Sequence, residues 1–327
     1  MHTHPQIVRY GELQPCKTAF IDAHTPGSDQ KENFTIIGGG VSESPDQHVH
    51  IADKIGFNIG AAGQPPKCNN SLHCHRTAEV FWVLSGRWRF FWGRHGTAGE
   101  VVLGPGDIFN IPTGIFRGFE NVGTDYGMIM AILGGDDAGG GVIWAPQVIQ
   151  ASADHGLLLG NNGKLYDTKK GQHLPDDVEP MPLLTEEELV NYPELSPMQA
   201  VGFGVRRYDD MVALAKDKPV RVIGETGIIR DKPGFDVDLV TRSSASDAMH
   251  SHDHASVLMP VTGHWKVQWV NGKADETVLA PGDTMLVPAG LDHAAVPSMA
   301  GEAALYHITG NDDPAGPTWD GKTWDGK

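Results

Sequence analysis

The chain has 327 residues, 40% of them hydrophobic and 20% charged, enough for two domains that each bury a core, and a composition that argues against global disorder. A formal charge of −16, with no dense Lys/Arg cluster to offset it, excludes nucleic acid and anionic membrane surfaces as natural partners. The 41 glycines and 22 prolines suit many short strands joined by turns, and the three cysteines (Cys16, Cys68, Cys74) show no CxxC spacing, so neither a disulfide framework nor a thiolate zinc site is expected.

In chain order, the opening MHTHPQIVRYGELQPCK has no continuous apolar stretch. No run of about 18 apolar residues follows it, so a cytoplasmic protein is expected. His48 and His50 form an isolated HxH to which no role is assigned. From residue 80 the pattern becomes strand, turn, strand: VFWVL, SGR and WRFFW, aromatic and β-branched runs bounded by glycine. Residues 146 to 220 read as an ordered linker packed on the domains, with one or two helices. Thr185-Glu186-Glu187-Glu188 has capping-box spacing, and Tyr208 to Lys216 is a second helical candidate ended before Pro219. Strand, turn, strand then returns as SVLMP, VTGH and WKVQW, and the tail repeats TWDGK at 318–322 and 323–327, with no function assigned.

The return is a duplication. His73, His75, Gly86, Trp88 and Trp92 reappear, shifted by 177, as His250, His252, Gly263, Trp265 and Trp269. After the loss of one residue in a turn the shift is 176: Pro105-Gly106-Asp107 matches Pro281-Gly282-Asp283, Pro112-x-Gly114 matches Pro288-x-Gly290, and Gly134-x-Asp136-Asp137 matches Gly310-x-Asp312-Asp313. So many ordered matches with a single slip exclude chance. Because strand side chains alternate, the two histidines of each HxH share a face, which in a closed barrel can be the interior.

Both repeats resemble the paired signature of the cupin superfamily, HxH followed by Glu and Gly, then G-x5-P-x-G-x2-H-x3-N. The first reads His73, His75, Glu79, Gly86, then Gly106, Pro112, Gly114 and Asn121, with Arg117 in the place of the last histidine. The second reads His250, His252, Gly263, then Gly282, Pro288, Gly290 and His293, with Ser256 in the place of the glutamate. The resemblance implies an all-β bicupin: two double-stranded β-helix (jelly-roll) barrels joined by a partly helical linker. Residues 1–145 would form the N-terminal cupin domain with its arm, 146–220 the linker, and 221–327 the C-terminal cupin domain and tail. It also implies a homo-oligomer, dimer or tetramer, and a small-molecule substrate.

Three neutral imidazoles, His250, His252 and His293, leave coordination positions open, as in sites that bind Fe(II) with substrate and dioxygen. The alternative is a relic barrel whose histidines bond to water or to each other. His73, His75 and Glu79 form a 2-His-1-carboxylate set for Fe(II), Mn(II) or Zn(II). Arg117 cannot ligate a metal; it either clamps a substrate carboxylate beside one, with Glu79 moving protons, or pairs with Glu79 or turns to solvent. Trp88, Trp265, Phe81, Phe90 and Trp92 either wall an aromatic pocket or belong to the core. Cys74 points out of the barrel, His254 is an outward neighbour or supports the site from behind, and His264 and His307 are structural or exposed.

The resemblance to metal-dependent cupin dioxygenases of the gentisate and quercetin type implies cleavage of a C–C bond in a small hydroxylated aromatic or enolisable diketone. Fe(II) is the foremost cofactor, with Mn(II), Zn(II) or Ni(II) as alternatives. An oxygen-independent isomerase, lyase or decarboxylase, and a non-catalytic ligand-binding bicupin, stay open.

Overall fold

Alternation builds both halves. In Trp88–Trp92 the residues Trp88, Phe90 and Trp92 are buried while Arg89 and Phe91 are half-buried, and in Trp265–Asn271 the buried set is Trp265, Val267 and Trp269. One face of each strand therefore goes inward, and the strands close into two barrels of facing sheets. The computed structural model describes residues 3–136 and 142–312; Asp137, Asp313 and the TWDGK repeat lie outside them.

In the first barrel, the sheet Val205–Arg206, Ile108–Ile111, Glu79–Ser85, Gly127–Gly134, Phe57–Gln64, Glu32–Ile37, Val49–Ile51 faces the sheet Ile143–Trp144, Asn69–Cys74, Arg117–Asn121, Trp88–Trp92, Gly99–Leu103. In the second, Gln6–Val8, Thr284–Val287, Ser256–Thr262, Ala304–Gly310, Phe235–Thr241, Val220–Gly224, Ile229–Arg230 faces Lys273–Leu279, Trp265–Asn271, Asp292–Pro297. This is the expected all-β pair of jelly-roll barrels. The register keeps the repeat: Glu79 lies opposite Ile111 and Leu133, and Ser256 opposite Val287 and Thr309.

The leading arm of each half pairs with the other half's barrel. Ile7 lies opposite Met285 in the second barrel, and Val205 opposite Phe109 in the first. Arg9 then bonds Asp283 at 2.8 Å and Arg207 bonds Asp107 at 2.6 Å, while the backbone N–H groups of Tyr10 and Tyr208 donate to the same two carboxylates, each at 2.9 Å. Both aspartates belong to Pro-Gly-Asp turns. Their glycines, Gly106 and Gly282, have φ of +79° and +88°, and a Cβ there would meet the rings of Tyr208 and Tyr10 at 2.4 and 2.6 Å, so glycine is required twice over. Ile7-Val8-Arg9-Tyr10 thus corresponds to Val205-Arg206-Arg207-Tyr208, a second level of the duplication.

Between the barrels one apolar cluster draws on both, including Phe57, Trp82, Val222, Phe235 and Tyr306. The equivalent residues Phe57 and Phe235 meet with ring centres 5.5 Å apart, and the Tyr306 hydroxyl donates to the Gly106 carbonyl at 2.7 Å. The linker is more helical than expected. Glu186–Leu189 carries its Thr185/Glu188 capping box, and Tyr208–Leu214 forms the second expected helix. Pro146–Asp154 and Pro197–Gly204 are helical too, the latter through a Ser196/Gln199 capping box with proline at the first position. The linker packs on the first barrel, where Trp92 Nε1 donates to the Leu195 carbonyl at 2.9 Å. Among the described residues no helix is long and apolar enough to cross a membrane.

Candidate metal centres

In the second barrel, His250 and His293 face each other and exchange backbone hydrogen bonds of 3.0 and 2.9 Å. The Gly290 N–H donates to the His252 carbonyl at 2.8 Å, fastening the HxH segment to the Pro288-x-Gly290 turn. Donor atoms of His250, His252 and His293 consequently lie within 4.8 Å of one another. His293 Nδ1 donates to the Leu291 carbonyl at 2.9 Å, which fixes the tautomer that leaves Nε2 bare. The Nε2 atoms of His252 and His293 are buried without a hydrogen-bond partner.

Burial, opposed by the Leu291 carbonyl and reinforced by His250 and His252, lowers His293 to about 4. His252 is lowered by burial and then by His250. Both imidazoles are neutral at pH 7, with lone pairs free for a cation. Orphaned buried nitrogens on neutral imidazoles are what a divalent transition metal fits. The set opens on a cavity of about 250 Å³ with Val240, Leu258 and Leu305 on its apolar side and Asp238, Ser244 and Ser246 on its polar side.

His307, expected to be structural or exposed, lines this same cavity. It is buried, its Nε2 has no partner, and its ring lies 4.9 Å from that of His252. Alternation along Ala304–Gly310 was the available signal, and the lack of a histidine at the matching position of the first repeat, Ala131, hid it.

In the first barrel, His73 lies opposite Arg117, just as His250 lies opposite His293, so Arg117 does stand in the third histidine's place. The donors of His73, His75 and Glu79 lie within 4.8 Å of one another, and all three residues are buried. Arg117, 2% exposed, points inward and pairs with Glu79: Nε donates to Oε2 at 3.0 Å and Nη2 donates to the same oxygen. The remaining oxygen, Oε1, lies 3.8 Å from His75 Nε2. The adjoining cavity is only about 50 Å³. His73 donates Nδ1–H to the Ser71 carbonyl at 2.7 Å, and burial, then the Arg117 charge, hold its imidazole well below the ordinary histidine range. The donor set again fits a transition metal, with a guanidinium competing for its carboxylate.

Behind His73 stand residues absent from the sequence reading. Lys31, 4% exposed, pairs with the buried Asp22 and donates to Asn70 Oδ1 at 2.8 Å, and its ammonium lines the small cavity. Trp144 meets the His73 ring in a tilted contact, ring centres 5.3 Å apart, and donates to Glu43 Oε1 at 2.7 Å. These groups come from before and after the motif, where no local pattern marks them.

The aromatic residues belong to the core. Trp88, Phe90, Trp92 and Trp265 are fully packed inside the barrels, and Phe81 lines the small first cavity. No tryptophan or phenylalanine lines the 250 Å³ cavity. Cys74 lies outside the first barrel among Phe116 and Trp144, as alternation requires, and burial pushes its thiol up to about 12. His254 faces away from the centre and meets Asp312 at 3.2 Å; His264 is exposed. Both His50 nitrogens are engaged, by the Gln14 N–H and the Thr35 carbonyl.

Residues 63–133 match the family described as Cupin domain. No curated protein matches the chain in sequence. Among solved structures, an oxalate decarboxylase mutant from Bacillus subtilis is 13% identical, with 94% of this chain and 77% of that one covered at a TM-score of 0.53. A tryptophan-to-phenylalanine form of the same enzyme reaches 0.55 at 12% identity and equal coverage. The formate complex of Lactobacillus farciminis oxalate decarboxylase is 13% identical and covers 93% and 86%, at 0.53. The Bacillus subtilis enzyme is described with Mn(II) centres. At these identities the likeness is one of fold. Residues 63–133 form a cupin domain, and the chain as a whole has the two-barrel fold of those decarboxylases. Its two barrels carry donor sets suited to a transition-metal ion.

Proposed function

We propose that this bicupin is a metal-dependent enzyme working at His250, His252 and His293 on a small substrate that chelates the ion through two oxygens. The observation that carries it is the convergence of bare, buried Nε2 atoms on a cavity of about 250 Å³, against about 50 Å³ at the first centre. Fe(II) is the ion expected for three imidazoles with open positions. When bound it supplies a chelating Lewis acid and the redox chemistry that dioxygen requires.

The reaction is oxygen-dependent cleavage of a C–C bond. The donor set holds no carboxylate, and Asp238, the one carboxylate on the cavity wall, accepts from Arg221 Nε at 2.6 Å, so a dedicated proton relay is missing. The substrate is an enolisable diketone or a similarly compact oxygenated molecule rather than a hydroxylated aromatic, because the walls are aliphatic and the volume is below the usual ligand-site range of roughly 300–1,000 Å³. Val240, Leu258 and Leu305 keep water off its carbon skeleton, and Ser244 and Ser246 orient its polar end. In the first barrel Arg117 positions Glu79 through its two hydrogen bonds to Oε2.

The experiment is oxygen uptake by Fe(II)-loaded protein with a panel of 1,3-diketones. Uptake matched to substrate loss, abolished by His252→Ala and by His293→Ala but retained in Glu79→Ala, is the expected result. Turnover without oxygen would make the protein a lyase or decarboxylase, and failure to take up Fe(II), Mn(II) or Zn(II) would make it a binding protein.

A further inference from the structure

The second centre lacks the carboxylate of the first, and the pleat shows where a replacement comes from. Glu79 lies opposite Leu133, and its counterpart Ser256 lies opposite Thr309. Two residues back from Thr309, on the same face of the last strand, stands His307, whose counterpart in the first barrel is Ala131. Glutamate has become serine on one strand while alanine has become histidine on its neighbour. The two differences are complementary in volume and in donor chemistry.

The orphaned atoms agree. His307 Nε2 and Ser256 Oγ are both buried without a partner, like the Nε2 atoms of His252 and His293. The ring centre of His307 lies 4.9, 6.1 and 6.4 Å from those of His252, His293 and His250, and the other three rings are 4.7, 5.2 and 5.7 Å from one another. With metal–nitrogen bonds of about 2.1 Å, imidazoles sharing one ion have ring centres roughly 4.6 Å apart at right angles and roughly 6.5 Å apart when opposite. All these separations fall in that span; the donors of His250, His252 and His293 already lie within 4.8 Å of one another, and His307, outside that set as the rings stand, joins it by a turn of its ring.

We infer that His307 is a fourth ligand of the second centre, completing an all-histidine set in which an imidazole from the last strand stands in for the lost carboxylate. The inference rests on the proposed metal at His250, His252 and His293. Four neutral ligands leave the ion its whole charge, so the centre selects an anionic oxygen chelator, an enolate or carboxylate, over a neutral one.

The test uses the full chain with the first centre disabled by His73→Ala and His75→Ala, titrated with Co(II) and read by visible ligand-field absorption. His307→Ala is expected to weaken Co(II) binding by about tenfold or more and to change the absorption envelope. Adding Ser256→Glu to His307→Ala is expected to restore most of the affinity, which a merely structural histidine would not allow. Circular dichroism checks the fold, and His307→Gln, closer in size, is read the same way should the alanine variant unfold. An unchanged spectrum and affinity in His307→Ala, with His252→Ala abolishing binding, overturns the fourth ligand and leaves the metal centre standing. No Co(II) uptake by the intact second centre removes both.

Discussion

Arg117 donates through Nε and Nη2 to a single oxygen of Glu79, Oε2, and so leaves Oε1 turned toward His75 Nε2, 3.8 Å away. A buried charge is tolerable only while its partner stays. Arg117→Met is expected to cost about 3–5 kcal/mol by stranding the Glu79 carboxylate, and Arg117→Met with Glu79→Leu to recover most of it. Urea unfolding of the metal-free variants checks both values; equal stability of the single and double variants would refute the pairing.

The same position governs metal. Replacing the guanidinium by an imidazole frees both Glu79 oxygens and adds a third nitrogen donor opposite His73. Arg117→His is expected to raise the metal content of the first barrel, measured by plasma emission in a His250→Ala/His252→Ala background. Unaltered content would mean that the cavity, not the charge, limits the site.

Acid acts through the buried histidines. His293 titrates at about 4 in the folded chain and near 6.5 unfolded, so between these values the unfolded chain binds more protons. Its contribution, on the order of 3 kcal/mol, is fully present above pH 6.5 and is lost as the pH falls toward 4. His73, His252 and His307 shift in the same direction. Metal-free protein should therefore lose stability steeply from pH 6.5 to 4, and His293→Phe should flatten the slope, both read from urea midpoints.

Substrate size is set by the aliphatic wall. Leu305→Phe is expected to raise KM by about tenfold, the effect of a few displaced methylenes, with metal content unchanged. A KM rise accompanied by metal loss would place Leu305 in support of the ligands instead.

The exchanged arm is a stability element. Arg9 is about one-third exposed, so its contacts with Asp283 and the Val278 carbonyl are partly screened. Arg9→Ala is expected to cost only about 1 kcal/mol. Deleting residues 3–13 should do more, because it uncovers the Thr284–Val287 edge and invites strand pairing between molecules. Thermal unfolding and size-exclusion chromatography follow the two effects.

What the sequence made legible was local or repeated. HxH, Pro-Gly-Asp and Pro-x-Gly recur at fixed spacing; HxH carries ligands and the Pro-x-Gly turn fastens it, so the two donor sets and their divergence at Arg117 and Ser256 could be read in advance. Lys31, Asp22 and Glu43 were silent because they reach the His73 surroundings only through contacts with Asn70, Ser71 and Trp144, far from them in the chain. His307 was silent because it has no counterpart in the first repeat. The tryptophans misled for a physical reason: a large ring on an inward face fills a small barrel as readily as it lines a pocket, and at Trp88 and Trp265 it fills the barrel.

Because each half completes its sheet with a strand from the other, neither barrel is a finished object alone. Cut between the barrels, the chain would yield two fragments that each carry the strand the other needs, and they should rejoin when mixed. A single fragment has the same option with its own twin, by trading arms. The 327-residue chain has the strand exchange of a swapped dimer, with its two halves written on one backbone.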